Sequence, residues 1–121
     1  MSAFEKTTFT DYGNLRVLHA PIELDVYTAP DFRAMSVDAV ATGFYRLVVD
    51  LSKTTFVDST GLGVLVGVLT RCEMHGGWLR LTKPVPGGGV EQHLQITGLT
   101  RVFVIEDSIE AAIAAEEVNA Q

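Results

Sequence analysis

"FVDSTGLGVLVGVLTR", residues 56–71, carries the reading of the whole chain. The apolar pair Phe56-Val57 runs into Asp58 and Ser59, and no charge follows until Arg71. Such a stretch predicts a buried helix with its start at Asp58-Ser59. Both residues are favoured helix caps, because a side-chain oxygen there accepts the unpaired backbone N–H groups of the first turn. A second role stays open beside the cap: Ser59 is a hydroxyl at a helix start, where the protein could be modified. Gly61, Gly63 and Gly67 each cost about 1 kcal/mol relative to alanine in a helix interior, so the helix must gain something in return. Gly63 and Gly67 stand four apart, which predicts a helix face lying close against a strand. Leu62, Leu65, Val66 and Leu69 would fill the rest of that interface. Tight seating would hold Ser59 at the rim of a sheet, and Gly61 leaves it without a bulky neighbour two residues on.

Working outward, "YRLVVDL" (45–51) places Leu47, Val48 and Val49 in succession, without the alternation of a half-exposed strand. That predicts a central strand covered on both faces. Downstream, Gly76-Gly77 ends the helix and "WLRLT" (78–82) is the next strand. "VPGGG" (85–89) is a loop, "VEQHLQIT" (90–97) a short helix stopped by Gly98, and "VFVI" (102–105) a last strand. "DSIEAAIAAEEV" (107–118) is a terminal helix capped by Asp107 or Ser108, with Glu110 in its first turn. Upstream, "TTFT" and "LRVLHA" flank the turn residues "DYGN" and read as a hairpin. "IELDV" (22–26) is a short third strand. "TAPDFRAMSVDAVATG" (28–43) is a helix with Thr28 as N-cap, Pro30 and Asp31 in the first turn, Gly43 as its stop and Phe32, Met35 and Ala39 as its buried stripe. A hairpin followed by alternating strands and helices gives an α/β class: a mixed β-sheet flanked by helices, as a single domain over residues 1–121.

A hydrophobic fraction of 47% supplies the core for one domain of 121 residues. The net charge of −6 argues against nucleic acid and anionic membranes as direct partners, since both demand a basic surface. Cys72 is the one cysteine and reads as a reduced core residue. The opening "MSAFEKTTFTDYG" lacks the blocks of a secretory signal, and no apolar run approaches the roughly 18 residues of a membrane span. The expectation is a cytoplasmic protein.

Phosphorylation of Ser59 has a definite physical consequence. It adds about −1.5 to −2 charges, and a helix N-terminus with free N–H groups can hold them without unfolding the domain. A partner that accepted the neutral serine would then meet a concentrated negative patch beside Asp58. Repulsion and desolvation of several kcal/mol weaken such an interface roughly a hundredfold or more.

"DSTGLGVLVG" after an apolar strand, "ELD" and "TAP" upstream, and "ITGLTRVFVIEDSIEAAI" downstream resemble the anti-sigma factor antagonists, the bacterial members of the STAS domain superfamily. The likeness runs over nearly the whole chain in family order. It implies a mixed sheet flanked by helices and a serine, Ser59 here, that an ATP-dependent anti-sigma factor kinase phosphorylates. The unphosphorylated form would bind that kinase and release its sigma factor; phosphorylation would end binding, and a serine phosphatase would restore it. Asp25 and Asp58 match acidic residues near the phosphorylated serine, and Thr60 is its hydroxyl neighbour. Gly61, Leu62 and Gly63 would form the backbone and surface that the partner reads. Two departures stand out: Ile22 replaces the usual glycine before "ELD", and "PGGGV" replaces a polar, helix-forming stretch before the short helix, which borders the family's partner surface.

Other chemistries are poorly served. Around Ser59 there is no Gly-x-Ser-x-Gly elbow and no histidine paired with an acid. His19, His75 and His93 share no ligand spacing with Cys72 or the carboxylates, so no metal or other cofactor is expected. "PVPGGGV" lacks the Gly-Lys-Ser/Thr of a phosphate loop. His19 reads as a strand-face residue, His75 as a helix-end residue and Trp78 as a packed aromatic. Glu106, Asp107, Glu110, Glu116 and Glu117 read as a solvated acidic face of the last helix. The expectation is a regulatory protein, not an enzyme, switched at Ser59. The alternatives are a phosphorylation-independent STAS scaffold or accessory subunit of a signalling or transport assembly, and a small-molecule binding module.

Overall fold

Leu47, Val48 and Val49 are all fully buried, Leu47 and Val49 in one apolar cluster and Val48 in another. The uninterrupted apolar run is therefore a strand covered on both faces. The computed structural model describes residues 7–119, with side chains as far as Ala115. In chain order the elements are β1 (Thr8–Tyr12), β2 (Leu15–His19), β3 (Glu23–Leu24), α1 (Ala29–Ala41), β4 (Arg46–Asp50), β5 (Phe56–Val57) and α2 (Ser59–Met74). They continue with β6 (Trp78–Thr82), α3 (Val90–Ile96), a 3-10 turn at Leu99–Arg101, β7 (Val104–Glu106) and α4 (Ile109–Asn119). Five strands form one sheet in the order β1-β2-β4-β6-β7. β1 is antiparallel to β2 and the other neighbours are parallel, with Val17 beside Val48 and Val48 beside Arg80. β3 and β5 pair separately, parallel, with Leu24 beside Val57.

One face of the sheet packs Leu18, Leu47, Val49, Leu79 and Leu81 against Phe32, Ala39 and Val40 of α1 and Leu62, Leu65, Val68 and Cys72 of α2. The other face packs Leu15, Val17 and Val48 under Ala112, Ile109 and Ile113 of α4. Burying each large side chain of this kind contributes about 1.5–3 kcal/mol before entropy is counted. The expected mixed sheet flanked by helices is thus the observed fold. Cys72 lies within it, its thiol pushed up to about 11 by burial.

Several local expectations need correction. The third strand is only Glu23–Leu24, and β5 and the 3-10 turn are additional elements. The inward stripe of α1 runs through Phe32, Ser36, Ala39 and Val40, a 4-3-1 spacing that leaves Met35 half-buried. In α2, Gly63 is exposed with open space where a side chain would stand, and the guanidinium of Arg71 lies 3.4 Å from the place of a Gly67 Cβ. Neither glycine faces a strand. Val66 is 37% exposed, and Val68 and Cys72 take the inward positions instead. Ser108, not Asp107, caps α4, accepting from the Ala111 N–H at 3.0 Å, while Asp107 pairs with Lys83 at 2.7 Å. Glu106 belongs to β7 and Glu110 is exposed; the side chains of Glu116 and Glu117 lie outside the described residues.

Candidate functional site

The start of α2 is seated on the small β3–β5 ladder. Gly61 is buried, and a Cβ on it would strike the Leu24 carbonyl oxygen and come within 2.9 Å of Val57 Cγ1. No side chain fits there. Glycine is thus required at the third residue of the helix, where its backbone meets the ladder. The Asp58 N–H also donates to Leu24 O at 3.2 Å, so the strand leads directly into the helix.

Asp58 does the capping. Its backbone is extended, and its Oδ1 accepts from the Gly61 N–H at 2.9 Å. Its Oδ2 accepts from the Val26 N–H at 3.2 Å, so one carboxylate ties the α2 start to the loop after β3. Asp25 organises that loop from within: its Oδ1 accepts from the N–H groups of Tyr27 at 2.9 Å and Thr28 at 3.2 Å. This turn ends β3 after two residues. Thr28, expected as the α1 cap, makes no capping bond; its hydroxyl donates to Glu23 O at 2.7 Å and accepts from the Asp25 N–H at 3.0 Å.

Ser59 is the first helical residue and is exposed, as is Thr60. The first intrahelical bond runs from Leu62 N–H to Asp58 O, so the Ser59 and Thr60 N–H groups precede the ladder of helical bonds. Among the described residues neither Asp25 nor Asp58 hydrogen-bonds the Ser59 hydroxyl. Of the three residues expected to be read by a partner, Gly61 and Leu62 face inward, Leu62 at 7% exposure, and Gly63 lies on the surface.

Large apolar side chains on the segments beside this helix start are exposed. Val26 is 55% exposed, Tyr27 69%, Phe56 49% and Ile96 75%. Phe56 and Ile96 line a groove of about 390 Å³ between β5 and α3, with Val57, Val90 and His93. His93 Nδ1 donates to Val57 O at 3.0 Å and pins α3 to β5. The glycine-rich loop before α3 is anchored as well: the Val85 N–H donates to Thr54 O at 3.3 Å, and Gly89 takes the left-handed conformation, φ +89°, at the start of α3. Ile22, at the first departure from the family pattern, is 48% exposed, and its carbonyl accepts from the Thr55 N–H at 2.8 Å. Thr54 and His93 are structural residues of this site that no sequence motif marks; their bonds, to Pro21 O and Val57 O, join segments far apart in the chain.

The remaining singled-out residues are placed elsewhere. His19 bridges Asp50 at 2.9 Å and Thr10 at 3.0 Å on the sheet. Burial acts to raise the Asp50 pKa, but hydrogen bonds from Ser52, His19 and Thr82 outweigh it and hold the carboxyl below its ordinary value. His75 stacks on Tyr45 with ring centroids 4.6 Å apart. Trp78 is half-buried under the Arg80 guanidinium, 3.8 Å from the ring centroid. Among the described residues no cluster of His, Cys, Asp and Glu could hold a metal ion, and no helix is long and apolar enough to cross a membrane.

The STAS domain model matches residues 6–112. The chain belongs to the STAS domain family. A Thermotoga neapolitana protein described as a candidate anti-sigma factor antagonist is 34% identical over 98 residues, 80% of this STAS chain and 83% of the relative. The anti-sigma-B factor antagonist of Bacillus subtilis is 41% identical over 59 residues, 49% of this chain and 53% of that protein. Among solved structures, an anti-sigma factor antagonist from Mycobacterium paratuberculosis has a TM-score of 0.79 at 25% identity, covering 91% of this chain and 92% of that one. The resemblance carried by "DSTGLGVLVG" is borne out by these likenesses.

Proposed function

We propose that this STAS domain is an anti-sigma factor antagonist, a regulatory and non-enzymatic protein of the cytoplasm, whose binding is switched at Ser59. One observation carries the reading. The fold uses Asp58, not Ser59, to cap α2, which leaves an exposed hydroxyl at a rigidly seated helix start. The similarity to anti-sigma factor antagonists supplies the partner class. In the unphosphorylated state the exposed Val26, Tyr27, Phe56 and Ile96, with Gly63, give a serine-kinase anti-sigma factor an apolar docking surface around Ser59, and its sigma factor is released. Phosphorylation of Ser59 puts a dianion beside Asp58 in the middle of that surface. The N–H groups of Ser59 and Thr60 hold the phosphate at the helix start, so the domain stays folded while the partner meets buried like charge. A serine phosphatase returns the domain to its binding state.

The test is a capture experiment from lysate of the source organism with folded wild type, Ser59→Ala and Ser59→Asp as baits, read by mass spectrometry. A kinase-like anti-sigma factor is expected with wild type and Ser59→Ala and not with Ser59→Asp. Capture of one assembly by all three baits would favour the phosphorylation-independent scaffold.

A further inference from the structure

We infer that β1 is a self-complementary edge and that two copies of the chain pair through it, antiparallel about a two-fold axis at Thr10. β1 is the end strand of the five-stranded sheet, and all five of its residues are exposed. Among the described residues nothing pairs with its outer side.

The hairpin fixes which groups face outward. Tyr12 and Leu15 close a two-residue turn, Gly13-Asn14, and so form a hydrogen-bonded pair. Hydrogen-bonded and non-bonded pairs alternate along an antiparallel ladder. Tyr12, Thr10 and Thr8 therefore turn their N–H and C=O groups toward β2, and Phe9 and Asp11 turn theirs outward. A second β1 laid antiparallel with Thr10 opposite Thr10 sets Phe9 against Asp11 of the other copy and Asp11 against Phe9. Each of those pairs exchanges two backbone hydrogen bonds, so every outward group of the two residues finds a partner. Thr10 meets its own copy in a non-bonded pair, the arrangement that brings side chains closest and suits threonine.

The side chains permit this pairing. The strand, "TFTDY", contains no proline and no lysine, which commonly guard an exposed edge. Its one charge, Asp11, is already held by Arg16 in two hydrogen bonds of 2.7 and 3.0 Å. Arg16 also lies over the Phe9 ring at 3.9 Å, so each Phe9 would enter the interface beside an ion pair rather than a bare carboxylate. Five residues per edge make a small interface, and the net charge of −6 on each chain opposes association. The dimer is accordingly weak, concentration-dependent and strengthened by salt.

Single cysteines on the full chain test both the edge and its register. In this register only position 10 meets itself, while position 8 faces position 12. Non-bonded antiparallel pairs stand about 4.5 Å apart at Cα, within the reach of a disulfide. Under mild oxidation Thr10→Cys should give a covalent dimer, Thr8→Cys and Tyr12→Cys alone should not, and a mixture of those two should cross-link. Cys72 is buried and stays silent. Phe9→Pro removes an outward N–H without touching the β1–β2 ladder, and should weaken self-association about tenfold or more in sedimentation equilibrium. Equal cross-linking at positions 8, 10 and 12 would overturn the register. A wild-type chain that sediments as a monomer at millimolar concentration in high salt would overturn the pairing itself, whatever the fate of the variants.

Discussion

The five-stranded sheet and the β3–β5 ladder are built by different means. The sheet is held by apolar side chains on both faces, with Leu18, Leu47, Val48, Val49 and Leu81 all at 0% exposure. The ladder has two residues in each strand and is held by named polar contacts: Asp58 to Val26 and Gly61, Asp25 to Tyr27 and Thr28, Thr28 to Glu23, Thr54 to Pro21 at 2.9 Å. Burial supplies stability wherever apolar residues repeat, and it tolerates exchange among them. A polar seat depends on particular atoms, and the exposed Ser59 stands on that seat. Leu24 and Val57 tie the ladder into the main apolar core, but the start of α2 is fixed on it by particular polar atoms.

Substitutions in α2 can break or sharpen this contrast. Gly61→Ala should have the largest effect, a loss of about 2–3 kcal/mol in denaturant unfolding, because the added methyl meets the Leu24 carbonyl and Val57. Asp58→Ala should cost about 1–2 kcal/mol through the lost cap. It should also speed hydrogen exchange at the Val26 and Gly61 amides more than at Val48, whose protection belongs to the sheet. The smallest effect has the opposite sign. Gly63→Ala, two positions from Gly61, should stabilise the protein by about 0.5–1 kcal/mol, since its site is open and helical. Equal stabilisation by Gly61→Ala and Gly63→Ala would show that helix propensity, not seating, governs the helix start.

The same contrast explains what the sequence made legible. "YRLVVDL", "WLRLT" and the apolar helix after Ser59 carry their structure in composition and period, and the class of sheet follows from their order. The seat carries no period. Phe56-Val57 reads as a lead-in to the helix because two residues cannot show alternation, and Thr28 has the look of a cap because its true partner, Glu23 O, is fixed only by the turn that Asp25 makes. Gly61, Gly63 and Gly67 look alike in sequence. Helical phase separates them: Leu62 and Leu65 turn inward as the spacing predicts, while Val68 and Cys72 take the inward place that the spacing gives to Val66. Asp58 and Ser59 were recognisable as a helix start, yet which of the two would cap depended on a backbone that only tertiary contacts define.

The most direct test is to install phosphoserine at position 59 and measure by calorimetry the affinity of the phosphorylated and unmodified chains for the serine-kinase anti-sigma factor that Ser59→Ala captures. The account predicts at least about a hundredfold weaker binding on phosphorylation, with an unchanged melting profile. Equal affinities for the two forms would contradict it and leave Ser59 as an ordinary first residue of a helix.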